Sequence, residues 1–523
     1  MRRLLLLLVS LIVVACGGCR RDGVATTAPP VLRLADKDDV PTLDPALGYD
    51  TASWQFEDML FDTLLDYDEA GRLTGELAQR WQVSEDGLVY TFELRRDARF
   101  HNGRPVTAGD ARLAIERVLA PATRSPGAEL YRGIAGVGEC ASWPCAVGGL
   151  HVPAAQTLQV TLAAPDPVFL HKMAMPFAAP VPAEVVRERG DDFGRNPVGS
   201  GPFQLDEWRP GERLLLARNP HYYRAGEPRV AAVSRLVGVD RDVGWLKYLA
   251  GELDITTIPP PEFLRVTRDP VLSPRIRKVT TLRTQYIGLN CELPPFTDGR
   301  VRRAFNHAVN KEKLLRLLND RGVVAKGFVP PGMPAYRPAV PGYPFDPQRA
   351  RQLLREAGFE QGLSSTLWLR NDETAIRLGQ SIQQDLAAVG VQVRLRPLAW
   401  GSFLEAIKRP RHVPMFLLGW EADFPDASNF LEVLLHSKQI GANNNTGYRN
   451  PEVDRRLDQA AQMTDAAARQ RLLEEVERLA FDDAPWVFLY HPVTYEIVSQ
   501  RVRDYELHPL RPARFRRVWL EAE

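Results

Sequence analysis

Beyond its first fifteen residues the chain has no apolar run approaching the ~18 residues that a membrane-spanning helix needs, so its body is not membrane-embedded. It also lacks an excess of charge. Sixty-six lysines and arginines stand against 65 acidic residues, giving a net charge of +1. A nucleic-acid surface needs a concentrated basic surplus, and no nucleic-acid partner is expected. No H-E-x-x-H pair exists to hold zinc, and no two of the nine histidines are spaced i, i+4 on a helix. Gly199-Ser200-Gly201 lacks the glycine two residues before the serine that a nucleophile elbow requires. No repeat of ~20–50 residues recurs, which excludes a solenoid. Enzyme chemistry therefore has little to stand on, and no cofactor or metal is implied. His171, Met173 and Met175 are the one local group of soft ligands, and packing is their expected use, since no second cluster accompanies them.

What is present begins at the N-terminus. Two arginines, an eleven-residue apolar stretch over residues 4–14 and Ala15 precede Cys16. This is the pattern of a secretory signal, too short for a permanent span. Val13-Val14-Ala15-Cys16 resembles a bacterial lipobox, so residues 1–15 are read as a lipoprotein signal peptide and Cys16 as the acylated new terminus. An ordinary cleaved signal is the alternative, with Cys19 a poorer cleavage point. Residues 16–30 have the polar, proline-ended composition of a tether. Export permits disulfides: Cys140 and Cys145 can close a small bridge or remain separate thiols, and Cys291 is then left unpaired.

The remaining residues, 45% hydrophobic and 25% charged over the whole chain, suit several globular domains. Leu32 and Leu34 alternate with Arg33 and Ala35 as an entering strand, and residues 51–65 show helical spacing. Tyr90, Phe92 and Leu94 mark one strand; Leu158, Val160 and Leu162 mark another. Thr107 and Asp110 form a capping box for a helix burying Leu113, Ile115 and Val118. Residues 203–208 and 213–216, joined through Pro210-Gly211, form a hairpin. Later segments alternate, with helices over 300–318, 346–357, 372–388 and 465–481 and strands over 391–395, 414–418 and 486–490. This is α/β order.

A series of motifs runs through the chain: Thr42-Leu43-Asp44-Pro45; Leu77 to Trp81, Asp86 to Phe92 and Phe100-His101-Asn102-Gly103; Pro197 to Phe203; Arg218 to Tyr223; Gly251 to Asp254; Asn290 with Pro295 to Arg302; and Gly419-Trp420-Glu421-Ala422-Asp423. Together, in this order, they resemble the family 5 extracellular solute-binding proteins, the oligopeptide- and dipeptide-binding components of ABC importers. The resemblance covers nearly the whole mature chain. It implies an α/β, bilobal, class II periplasmic-binding-protein-like fold with an extra inserted subdomain. Residues 31–67, 191–280 and 496–523 would form a discontinuous first lobe, residues 68–190 the insertion and residues 281–495 the second lobe.

The same resemblance implies an extracytoplasmic, lipid-anchored monomer that captures a peptide between its lobes and hands it to ABC permease subunits. Asp423 matches the carboxylate that holds a ligand's α-amino group; capping the turn before Phe424-Pro425 is its alternative use. Gly419, Trp420 and Glu421 match a segment whose main chain pairs with an extended peptide. Trp400 and Trp420 line pockets or pack in the core, and Tyr49, Tyr131 and Tyr490 fall at other wall positions. Some relatives place an arginine six residues before the aspartate, where this chain has Leu417; Arg370 or Arg377 is a substitute, or a solvated helix charge. The family also includes binders of oligosaccharides, opines and metal chelates, so a non-peptide solute, or a signalling receptor module, remains open.

Overall fold

The computed structural model describes residues 30–69, 71–140, 142–408, 412–510 and 514–521. The leader, with Cys16 and Cys19, lies outside the described residues. Val31–Ala35 alternates half-buried and buried positions and pairs parallel with Ala232–Leu236. Arg213–Arg218 and Phe203–Arg209 continue this four-stranded sheet antiparallel. The turn between them holds Gly211 at φ +74°, which a β-carbon would oppose. Residues 51–65 do not form one helix. The helix Thr51–Leu60 stops, and Leu65–Tyr67 begins a short hairpin with Leu73–Gly75.

Gly199 and Gly201 are why that helix sits where it does. A β-carbon on Gly199 would stand 1.9 Å from the Leu60 carbonyl oxygen, and one on Gly201 2.6 Å from that of Met59. The glycine pair therefore lets the helix end pack directly on backbone.

The inserted subdomain is an antiparallel sheet in the order Ala78–Val83, Val89–Leu94, Thr157–Thr161, Leu150–Ala154, accompanied by the helix Ala108–Leu119. The Thr107 amide donates to Asp110 Oδ2 at 2.9 Å, which starts the helix. Ile115 and Val118 enter the core, whereas Leu113 is half-buried and packs at its margin. Arg117 donates twice to Asp44, at 2.7 and 2.5 Å, and so ties the subdomain to the first lobe. Cys140 and Cys145 are bridged, with their α-carbons 5.2 Å apart. Met173 and Met175 are core residues. His171 hydrogen-bonds the Tyr67 hydroxyl at 3.0 Å.

The largest sheet is eight-stranded and mixed. Its main path runs Ile255–Thr257, Trp486–Val498, Arg283–Leu289, Met415–Glu421, Leu363–Arg370, Val391–Leu398. Leu363–Arg370, the helix Glu373–Ala387 and Val391–Leu398 form a parallel crossover unit, whose helix buries Leu378, Ile382 and Leu386. The segment 300–318 is two helices, Gly299–Ala308 and Lys311–Leu317, because Asn310 ends one turn and caps the next by accepting from the Lys313 amide.

One strand departs from the expected division. Trp486–Val498 pairs with Arg283–Leu289 through its first half, and with Ile255–Thr257 and Ile276–Thr280 through its second. Boundaries at 280/281 and 495/496 would cut this sheet. Periodicity shows that a segment is a strand but not which neighbour completes its hydrogen bonds. At the same junction, buried Asp254 pairs with Arg33 at 2.9 Å and Arg501 at 2.7 Å, binding three distant segments together.

Candidate functional site

The strand Met415–Glu421 begins as a buried apolar run and becomes accessible after Leu417. On one edge it pairs with Arg283–Leu289 along its full length. On the other, it pairs with Leu363–Arg370 only at Met415 and Phe416. Among the described residues, then, the main chain of 417–421 has one edge without a partner strand. Such an edge is a template for an added extended chain. Gly419, Trp420 and Glu421 occupy it.

Asp423 follows immediately. Its Oδ2 accepts from Asn429 Nδ2 at 3.0 Å, and its backbone amide donates to Asn429 Oδ1 at 3.2 Å. Across from it, the Tyr49 hydroxyl lies 3.3 and 3.4 Å from the two carboxylate oxygens. Tyr49 precedes the helix Thr51–Leu60, and its ring touches Trp54 and Phe177, each 5.7 Å away between centroids. Burial pushes the Asp423 carboxyl up to about 6, Asn429 and Tyr49 oppose the rise, and the charge of Glu421 adds to it. The Tyr49 phenol is raised as well, by burial and by the carboxylate it faces. A carboxylate held this way, with neutral hydrogen-bond partners, is suited to a positively charged group.

At the start of the following helix it is Asp426, not Asp423, that meets a backbone amide. Its Oδ1 accepts from the Ser428 amide at 2.9 Å, and its carboxylate takes two hydrogen bonds from Arg469, at 2.7 and 2.9 Å. Phe424, between the two aspartates, lies 5.9 Å from the ring of His171, which lies 5.9 Å from that of Tyr67. Three segments distant in sequence, around residues 67, 171 and 424, thus meet beside Asp423. Next to that junction a cavity of about 570 Å³ opens between the insertion and the second lobe, lined by Tyr90, His171, Ala335, Asp426 and Arg469 among others.

The other sequence-named residues separate. Trp420 is partly buried, and its indole donates to Asn429 Oδ1 at 2.9 Å, joining the hydrogen bonds that hold Asp423. Trp400 is 45% exposed at the start of the helix Trp400–Ile407, stacked on Phe403, and is not a core residue. Arg370 lies over its ring at 5.5 Å and pairs with Asp372 at 3.5 Å. Tyr490 pairs with Gln285 across strands and is nearly buried. Tyr131 is a correction: it has no exposure, and its hydroxyl donates to the Lys172 carbonyl at 2.8 Å inside the insertion. It is a core residue there, the one buried position of the short helix Ala128–Tyr131. Cys291 is unbridged, and burial raises its thiol to about 11.

Sequence reasoning missed Asn429, because an asparagine inside a helix has no local pattern that marks it as a neighbour of Asp423.

The model of the bacterial extracellular solute-binding proteins, family 5 Middle, matches residues 72–442. The chain is 29% identical over 463 residues to the di/tripeptide-binding protein 2 of Pseudomonas aeruginosa, covering 85% of this chain and 86% of that one. It is 30% identical over 500 residues to the probable deoxycholate-binding periplasmic protein YgiS of Escherichia coli, covering 91% of each. Among solved structures it is similar to the ABC transporter-associated periplasmic binding protein DppA of Helicobacter pylori in complex with the peptide STSA. There the TM-score is 0.80 and the identity 26%, over 94% of this chain and 98% of that one.

Proposed function

Because the chain belongs to family 5 of the bacterial extracellular solute-binding proteins, we propose that it captures a peptide between its lobes for an ABC importer and performs no bond chemistry. The observation that carries this reading is the open strand edge at 417–421 ending at the Asp423 carboxylate. Main-chain pairing at such an edge accepts any sequence, and the carboxylate fixes direction by taking the α-amine. The names of the Pseudomonas and Helicobacter relatives support a peptide.

Anchoring through Cys16 and delivery to permease subunits complete the proposal. Labelled fatty acid should enter the wild-type protein, and Cys16→Ala should abolish labelling; labelling lost only with Cys19→Ala would move the anchor. The ligand itself is tested by denaturing the purified protein and identifying released solute by mass spectrometry, followed by calorimetry with synthetic peptides. Release of a bile acid, opine, sugar or metal chelate, with no peptide bound in calorimetry, overturns the peptide reading.

A further inference from the structure

Arg283 lies in the strand beside Met415–Glu421, directly opposite Glu421. Its side chain does not pair with that glutamate but lies against Gly419. A β-carbon at Gly419 would stand 2.7 Å from Arg283 Nε and 2.9 Å from its Nη2. The missing side chain at 419 therefore lets the guanidinium cross its neighbour strand toward the open edge. Its hydrogen bond within the protein is a long one, 3.5 Å from Nη2 to Gln285 Oε1, and its Nε is buried with no acceptor. A guanidinium nitrogen held out of water without an acceptor is unfavourable, and an anion placed beside it relieves that cost.

The surroundings reinforce the sign. Arg377 Nε is also buried without an acceptor. Arg321 donates to the backbone carbonyls of Leu318 and Ile258, and burial together with the charges of Arg241 and Arg377 lowers its proton affinity. Arg283 and Arg321 both act on the Tyr490 hydroxyl, where Asp372 is the opposing charge. Asp372 is engaged as a helix cap by the Ala375 amide.

We propose that Arg283 receives the carboxylate of the bound peptide, so that the site selects a short peptide with both ends free: its amine at Asp423 and its carboxylate at the guanidinium laid over Gly419. The inference rests on the peptide reading above. Gly419 and Asp423 are four positions apart, at most about 13 Å of extended chain at ~3.3 Å per residue, which matches a peptide of roughly three or four residues. A planar guanidinium meets a carboxylate through two parallel hydrogen bonds, which gives geometric selection as well as attraction.

The test is calorimetry on the full-length folded protein with a set of synthetic tripeptides, each as free acid, C-terminal amide and N-acetyl form. Amidation should weaken binding to the wild type by about 30-fold or more. Arg283→Ala should weaken the free acid by a similar factor and bind acid and amide alike, while Arg283→Lys should recover part of the preference. Thermal melts of each variant separate a loss of fold from a loss of contact. Equal binding of acid and amide by the wild type, or an acid preference surviving in folded Arg283→Ala, overturns the assignment while leaving peptide capture intact. Loss on amidation without loss on acetylation removes the amine from Asp423 and keeps Arg283. No binding by any tripeptide overturns both.

Discussion

Substituting Asp423 by asparagine separates ligand capture from stability, because the two respond in opposite directions. The carboxyl rises from 3.8 to about 6 in the folded protein, chiefly through burial. A carboxyl whose pKa is raised by folding disfavours the fold once ionised, so its penalty is absent below about pH 4 and develops as pH climbs through 6. Two pKa units correspond to at most about 3 kcal/mol, and partial access to water trims this to about 1–3 kcal/mol. Asp423→Asn should therefore stabilise the ligand-free protein at pH 7.5 and lose that advantage at pH 4, read by denaturant melts at the two pH values. Amine capture needs the ionised form. Wild-type affinity for a free tripeptide should be flat above pH 7 and about tenfold weaker at pH 5, from a carboxyl titrating near 6. Asp423→Asn should cost about 2–5 kcal/mol of binding, and N-acetylation should add little to that loss, since both delete one interaction. An affinity unchanged between pH 5 and 7, or equal binding of acetylated and free peptide, would refute amine capture. A variant less stable than wild type at pH 7.5 would instead mark Asp423 as a structural residue.

Three further outcomes are expected. If capture closes the lobes on the ligand, binding should reduce the radius of gyration in solution scattering and change tryptophan fluorescence, with the Tyr49 to Asp423 and His171 to Phe424 contacts held in the closed form; unchanged scattering at saturation counts against a closing cleft. Gly199→Ala places a methyl against the Leu60 carbonyl and should destabilise by about 1–3 kcal/mol or more in urea melts, and a loss below about 0.5 kcal/mol would show that the helix end yields freely. Asp254→Asn leaves Arg33 and Arg501 without their shared carboxylate and should cost about 2–4 kcal/mol at pH 7, moderated by the arginines' partial exposure. Burial pushes the Asp254 carboxyl up, but hydrogen bonds from Arg501 and Arg33 together outweigh it and hold the group below its ordinary value; that stabilisation is present at neutral pH and lost as acid protonates it, so the gap to wild type should narrow at low pH.

The sequence by itself determined the local elements whose signals are local. Alternation at Leu32 and Leu34 marked a strand, Thr107 with Asp110 started a helix, and Pro210-Gly211 closed a hairpin, because side-chain period, capping and turn conformation act over a few residues. The motif series determined the family, and with it the expectation that Gly419 to Asp423 forms part of a site. Tertiary structure decided what those residues meet. That the edge of 417–421 stays open depends on Leu363–Arg370 diverging after Trp368, a property of two strands distant in sequence. Whether an aspartate here meets Arg469, as Asp426 does, or Tyr49, as Asp423 does, depends on residues far from both in the chain. Tyr131 reads like any wall tyrosine until the packing of the insertion buries it. Arg283 gains its position from a side chain that Gly419 does not have. Long-range contacts of this kind leave no period in the sequence, because each depends on how separately formed elements are brought together.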